Sequence, residues 1–491
     1  MSLSLRQSCL FQVMVYMLLL VFAAGVPVIL VAENPIWIGH TSPKPGQLVF
    51  ELLGFSGSIA ILGAGAFEFW RRDDRSVKAL LPLLIGMLVI FHSLSLVSEY
   101  SEKLWDYHCY EGAAQALLSE QNPYTNQTWW YQYPPLTAEL MAMAYTGISS
   151  INTLLGTEME VSERWDLLFY LFQFTQVILV ILAYYLLYRF ACRAGLSPVL
   201  AAIIVGGLLV ISNPLIRTLR WSQINLWILD LTLAGILLRA RYPVLAGTAI
   251  AIGAHLKIYP AIIAGPWLLT KQWRAVTAVI IGIIVILLFQ THGGQNWETW
   301  KQFVEFMPHF PPGTHFRDNS LHSIAHNLLS AFQWTTGYIT AAYMTEALSG
   351  VLTIAVVAWF LKRFFNREQL YTGRPAAINR AGIQPEVFRH DGHAVDAIAF
   401  TVIAAPSVWE HHYILVLPVL LWAVAGWGRT HIVAITVGAI LMFALPTFDV
   451  FPFSFHRVTG LLLVLWIIRS DPTGPPVFNV SVMEGRLPAG K

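Results

Sequence analysis

Three interruptions of apolar sequence carry the residues best suited to chemistry in this 491-residue chain: an aspartate among aromatics, a lone lysine, and a Glu-His-His triplet. Asp106 stands in Trp105-Asp106-Tyr107-His108, just after an apolar run at 79–98. A carboxylate at a membrane–water boundary meets a lower dielectric, which raises its pKa toward that of a general base. It could equally cap the helix predicted over 107–119. Lys257, followed by Tyr259-Pro260, interrupts the run 243–270. A lysine at mid-membrane costs about 2.5–3.5 kcal/mol on insertion scales, so its amine either snorkels to the interface or serves an anionic headgroup. Ser407-Val408-Trp409-Glu410-His411-His412-Tyr413 interrupts the run 394–428. Adjacent side chains point about 100° apart on a helix, so one of His411 and His412 is expected to face any given site.

Weaker signals surround these three. Asn122-Pro123-Tyr124 and Tyr131-Gln132-Tyr133-Pro134-Pro135-Leu136 combine stiffening prolines with rings. Such rings could stack on sugars or, with Trp129 and Trp130, simply anchor the chain at the interface. Asn126-Gln127-Thr128 is a glycosylation sequon. Arg217, Arg220 and Gln223 recur every third residue along one drifting helical stripe. Arg317-Asp318-Asn319-Ser320-Leu321 precedes His322 and His326, an i, i+4 pair that lacks a further acidic or Cys ligand. No metal site is expected. The three cysteines imply no disulfide, and no phosphate-binding glycine loop or dinucleotide fingerprint is present.

The elements that must position these residues are read from hydropathy and charge. The chain is 56% apolar and 12% charged, with mean hydropathy +0.59. Soluble domains carry about 25% charged residues, so a membrane protein is expected. A net charge of +2 gives no electrostatic case for nucleic acid. Runs long enough to cross lipid occupy 11–32, 48–70, 79–98, 165–188, 274–290, 338–361 and 430–447, with shorter candidates at 197–213, 221–238 and 457–468. The first is read as an uncleaved span. The runs 243–270 and 394–428 are too long for one upright helix and too short for two. Each is predicted to be a hairpin of short helices, broken near Lys257 and Glu410. That topology places 21 of the 30 Lys and Arg residues inside, with both termini cytoplasmic. It sends both hairpin tips, the segment 214–223 and two long polar-aromatic segments, 99–164 and 291–336, to the outer side. A further short helix is predicted there over 137–155, lying at the interface. The remaining long segment, 362–395, reads as a basic and bland cytoplasmic loop.

Taken in order, Asp106, Asn122-Pro123-Tyr124, Tyr133-Pro134-Pro135-Leu136, Gln223 with Asn225, Lys257 with Tyr259-Pro260, Asn319-Ser320-Leu321 and His411-His412 resemble glycosyltransferase family 87 of the GT-C superfamily. That family includes actinobacterial mannosyltransferases of phosphatidylinositol-mannoside synthesis. The chain departs from its pattern at three places: Glu120-Gln121 stands where a glycine-rich turn is usual, Ser222 stands where glycine is common, and His326 falls near an expected Arg. The resemblance implies a single all-α domain over 1–491, a polytopic GT-C bundle of about 12–14 membrane segments with extracytoplasmic interfacial helices. It implies a plasma-membrane enzyme that moves a hexose, mannose in the family, from a polyprenyl-phosphate donor to a lipid or glycan acceptor with inversion. Asp106 is then the base. Lys257, Arg220, Arg217, His411 and His412 are candidates for the donor phosphate, and Tyr124, Gln223, Asn319, Tyr133 and Arg317 for sugar or acceptor. The expected partners are the lipid-linked donor, the acceptor and membrane lipids. No cofactor is required, because a lipid phosphate leaves without a proton and cations can stabilise it.

The rival class is a transporter or lipid-linked-sugar flippase, which also uses paired broken helices. Such a protein would spread its polar groups along a path between both faces. Here they gather at one.

Overall fold

The computed structural model describes residues 74–99, 102–125, 131–157, 159–307, 313–315, 317–337, 342–373, 384–427, 431–448 and 451–468. All regular structure among them is helical, as expected. The run at 79–98 lies within α1 (Asp74–Glu99), whereas the runs at 11–32 and 48–70, the sequon, Trp129 and Trp130 fall outside the described residues. α2 (Trp105–Leu118) and α3 (Pro135–Leu155) are the two helices predicted in the first long polar segment. α4 (Val161–Arg193) runs for 33 residues from a reciprocal cap between Glu160 and Glu163.

Broken helices follow, and prolines account for the breaks. α5 (Pro198–Ile211) and α6 (Asn213–Arg220) meet at a 54° bend. Ser197 and Ser212 cap them by accepting the Leu200 and Leu215 N–H groups. Pro198 and Pro214 sit in first turns, where a missing N–H costs nothing. α7 (Asn225–Leu238) leads to α8 (Pro243–Leu256), which stops at Lys257 in extended conformation. A 3-10 turn over Tyr259–Ile263 and α9 (Ala264–Leu269) complete this region. Gly253 packs against the Pro260 ring. Seven residues of continuous helix would separate them by about 10 Å, so the chain doubles back here. α10 (Trp273–Gln290) then packs closely along α8: a methyl group on Gly247 would strike Ala278 and the Ala275 carbonyl. Small residues allow this approach in lipid, where apolar burial drives helices together only weakly.

α11 (Glu298–Phe306) and α12 (Leu321–Thr336) occupy the second long polar segment, and α13 (Ala342–Gly373) follows. In the second broken region α14 (Pro385–Ala404) ends at Ala405, which is extended as a residue before proline must be. A 3-10 turn over Glu410–Val416 precedes α15 (Leu417–Gly426). Phe388 of α14 meets Trp422 of α15 with ring centroids 6.4 Å apart, so this region also doubles back. α16 (Ile432–Ala439) and α17 (His456–Ile468) complete the described bundle. Among the described residues α4, α10 and α13 are long and apolar enough to cross a membrane, α5–α6 adds a fourth as one broken span, and seven further apolar helices are shorter. These full-length, broken and shorter helices stand beside the two predicted runs that lie outside the described residues.

The segment 362–395 differs most from expectation. Residues 362–373 continue α13 and 385–395 open α14, leaving only 374–384 between them. Arg363 and Arg367 share one face of α13 at i, i+4. Both donate to the buried Asp396, at 2.6 and 2.8 Å. Arg193, at the end of α4, grips the buried Asp391 at 2.8 and 3.0 Å, and Glu368 receives Arg389 at 2.7 Å and His393 at 2.8 Å. Of the cations in the segment read as a basic cytoplasmic loop, Arg363, Arg367 and Arg389 are thus paired with carboxylates on α13 and α14.

Candidate active site

Asp106 lies in the first turn of α2, but it is not the cap: Leu104 holds that position and no side chain caps the helix. The carboxyl of this partly buried residue is pushed up to about 6, chiefly by burial, against the hydrogen bond from Gln223, which lowers it. Gln223 follows α6 and is itself fixed at three points. Its Oε1 accepts the Tyr133 hydroxyl at 3.1 Å, its carbonyl accepts Gln176 Nε2 at 3.0 Å, and the preceding Ser222 accepts Gln173 Nε2 at 3.1 Å. Because Oε1 faces Tyr133, the amide N–H2 is the end left for Asp106.

Tyr133 also joins this group to the first break. Its ring lies 5.3 Å from Lys257 Nζ, and the Tyr259 ring lies 5.2 Å away on the same amine. Lys257 is buried; Nζ donates to Asn225 Oδ1 at 3.1 Å and lies 2.8 Å from His412 Nε2. His412 in turn accepts the Trp409 N–H on Nδ1 at 2.9 Å. His411 is only partly buried, its ring 4.5 Å from that of His412, and its carbonyl accepts Asn225 Nδ2 at 3.3 Å. Asp106, Gln223, Tyr133, Lys257 and the histidine pair thus form one connected group, drawn from five separate stretches of chain.

Other candidates stand around it. Arg217 is paired with Glu410 at 2.9 Å, beside His411; Arg220 is partly buried in the last turn of the same helix. Tyr124 is buried and donates its hydroxyl to the Tyr133 carbonyl at 3.0 Å, while its ring packs on Phe303 and Phe306 of α11. It ties the two long polar segments together behind the site. Asn319 is likewise buried, bonding the Arg317 carbonyl at 3.2 Å, the Ser454 carbonyl at 3.4 Å and the Val408 carbonyl at 2.7 Å. Arg317, partly buried, lends that carbonyl and directs its own N–H to His315 Nδ1 at 3.3 Å. His322 meets Glu346 at 3.9 Å, and no group of three metal-ligating side chains occurs among the described residues.

Several contributors escaped the sequence reading. Asp318 accepts the N–H groups of Ser320 and Val408, both at 2.8 Å, and so holds the second break against α12. Its Asp-x-Ser spacing before a helix was the available signal. Gln173 and Gln176, three apart within an apolar helix, were visible as a polar stripe. The departures at Glu120 and Ser222 also gain a physical meaning. Both residues adopt left-handed backbone, with φ of 54° and 55°, the conformation in which glycine alone has no steric penalty.

Residues 131–377 match the model of Glycosyltransferase family 87. This region includes Tyr133, Arg217, Arg220, Gln223, Lys257, Arg317 and Asn319, and leaves Asp106, Tyr124 and the histidine pair outside. The chain is 23% identical over 266 residues to the polyprenol-phosphate-mannose-dependent alpha-(1-2)-phosphatidylinositol mannoside mannosyltransferase of Mycobacterium tuberculosis (strain ATCC 25618 / H37Rv). The alignment spans 53% of this chain and 55% of that relative, about half the length of each. No solved structure matches.

Proposed function

The chain belongs to glycosyltransferase family 87, and on that premise we propose that it moves a hexose, mannose by analogy with its relative, from a polyprenyl-phosphate carrier to a lipid or glycan acceptor. A phosphatidylinositol mannoside, the acceptor in the relative's name, is the first acceptor to try. The observation that carries the proposal is the connected group: a carboxylate of raised pKa and a buried lysine face each other across Gln223 and Tyr133.

In this mechanism Asp106 takes the proton of the acceptor hydroxyl. The acceptor oxygen bonds to the sugar's anomeric carbon as the bond to the lipid phosphate oxygen breaks, with inversion. Lys257, with His411 nearby, receives the departing phosphate, and Arg220 is a further cation for it. Arg217 acts through Glu410 to hold the second break, and Tyr124 and Asn319 hold the surrounding segments. The reaction is placed on the extracytoplasmic side. In support, Arg193, about 25 Å along α4 from Gln176, meets Arg239 at Asp391, and such cation clusters mark the cytoplasmic end.

The test is purified full-length protein incubated with radiolabelled polyprenyl-phosphate mannose and a membrane lipid extract. Label should pass to a lipid or glycan, and Lys257→Met should weaken donor binding. Failure of the wild-type protein to transfer label to any acceptor overturns the donor assignment.

A further inference from the structure

The neighbours of Lys257 determine its proton count. Trp409 N–H donates to His412 Nδ1 at 2.9 Å, so that nitrogen carries no proton. The single proton of the neutral imidazole is then on Nε2, which lies 2.8 Å from Lys257 Nζ. An ammonium is donor-only, and two N–H groups cannot share that separation. The contact is satisfied when Nζ is an amine whose lone pair accepts from Nε2–H. One of its own hydrogens goes to Asn225 Oδ1 at 3.1 Å, and the other faces the Tyr133 and Tyr259 rings.

We propose that Lys257 rests as a neutral amine, held in that form by His412, and becomes an ammonium only when the donor's phosphate arrives. This rests on the transferase reading above. On binding, the Nζ lone pair takes one proton from solvent, the contact to His412 Nε2–H is released, and an N–H now points to a phosphate oxygen. No other bond changes. A resting amine avoids the cost of an unpaired buried ammonium. His412 is thus a positioning residue. The polar and titratable groups facing Lys257 are Asp106 from α2, Tyr133 ahead of α3, Asn225 from α7, Tyr259 on its own segment, and His411 and His412 from the second break. Of these, Asp106 and His411 could also gain a proton when an anion binds, whereas His412 is kept from doing so by the Trp409 N–H held on its Nδ1.

The experiment removes those two in turn. Donor binding to the Asp106→Asn protein, in which transfer is expected to be at least about 10²-fold slower, is measured by calorimetry at pH 8 in two buffers of different ionisation enthalpy, with polyprenyl-phosphate mannose as ligand. Uptake approaching one proton per donor is expected, with Kd weakening by up to about tenfold per pH unit as pH rises. Uptake should persist in Asp106→Asn/His411→Asn. It should vanish in Asp106→Asn/His412→Gln, where an amide oxygen can accept from an ammonium. Binding without proton uptake in Asp106→Asn overturns the proposal, as does uptake that disappears with His411. Uptake unchanged by His412→Gln removes the role given to His412; if that variant does not fold, uptake in the first two proteins decides. Absence of donor binding at every pH overturns the transferase reading itself, an outcome distinct from binding without protons.

Discussion

The Tyr133 hydroxyl donates to Gln223 Oε1 at 3.1 Å, and this bond decides which end of the Gln223 amide meets Asp106. Tyr133→Phe keeps the ring beside Lys257 but frees the amide to turn. Transfer is expected to fall about 5–10-fold, the worth of one hydrogen bond of 1–1.5 kcal/mol. The acid limb of the rate profile should also move to higher pH, because Asp106 loses a donor to its charged form. A pH–rate comparison of the two proteins measures both effects.

Asp106→Asn should reduce transfer by at least about 10²-fold, the lower range for removing a positioned base, while expression and folding persist. In the wild-type protein kcat/KM should rise with pH through about 6, where the Asp106 carboxyl becomes the carboxylate that can accept a proton. Turnover near the wild-type level in the asparagine variant would remove Asp106 from the mechanism.

The same carboxyl should leave a mark on stability. Its folded pKa, about 6, lies above the ordinary 3.8. Between those values the folded protein binds more protons than the unfolded one, so stability falls as pH rises. Asp106→Asn lacks this loss. Its melting temperature relative to wild type should therefore be unchanged near pH 4 and higher above pH 6. The gain is on the order of 1 kcal/mol, since each pKa unit is worth about 1.4 kcal/mol and the group is partly exposed to screening solvent.

Glu120 is exposed and left-handed, with φ 54°. Glu120→Gly should stabilise the protein by about 1 kcal/mol relative to Glu120→Ala, because a Cβ in this conformation costs about 1–2 kcal/mol and glycine's extra unfolded freedom returns part of it. Ser222→Gly should gain less, since it also deletes the acceptor for Gln173. Thermal unfolding in one detergent ranks the three variants.

Asp396→Asn should destabilise the bundle by about 3–5 kcal/mol, because Arg363 and Arg367 are left buried with a neutral partner. Replacing all three by apolar residues of similar size should cost much less. Equal losses for the single and triple changes would show that the ion pairs add stability beyond mutual compensation.

Local chemistry made much of the architecture legible in advance. Apolar runs, serine caps and prolines act within a few residues, so the helices, the breaks at Lys257 and Glu410, and the doubling back at both could be read directly. The order of short motifs was enough to point to family 87. Pairings between distant residues were not legible. The bond from Arg217 to Glu410 joins residues far apart in the chain, as does that from Arg193 to Asp391. Nothing near either residue announces its partner, and so a candidate phosphate ligand turned out to be engaged by a glutamate. Which end of Gln223 faces Asp106, and which nitrogen of His412 faces Lys257, were also undecided until packing brought Tyr133 and the Trp409 backbone into place. Helix formation and breaking depend on neighbours in sequence. The proton positions of this site depend on neighbours in space, and only the folded chain supplies those.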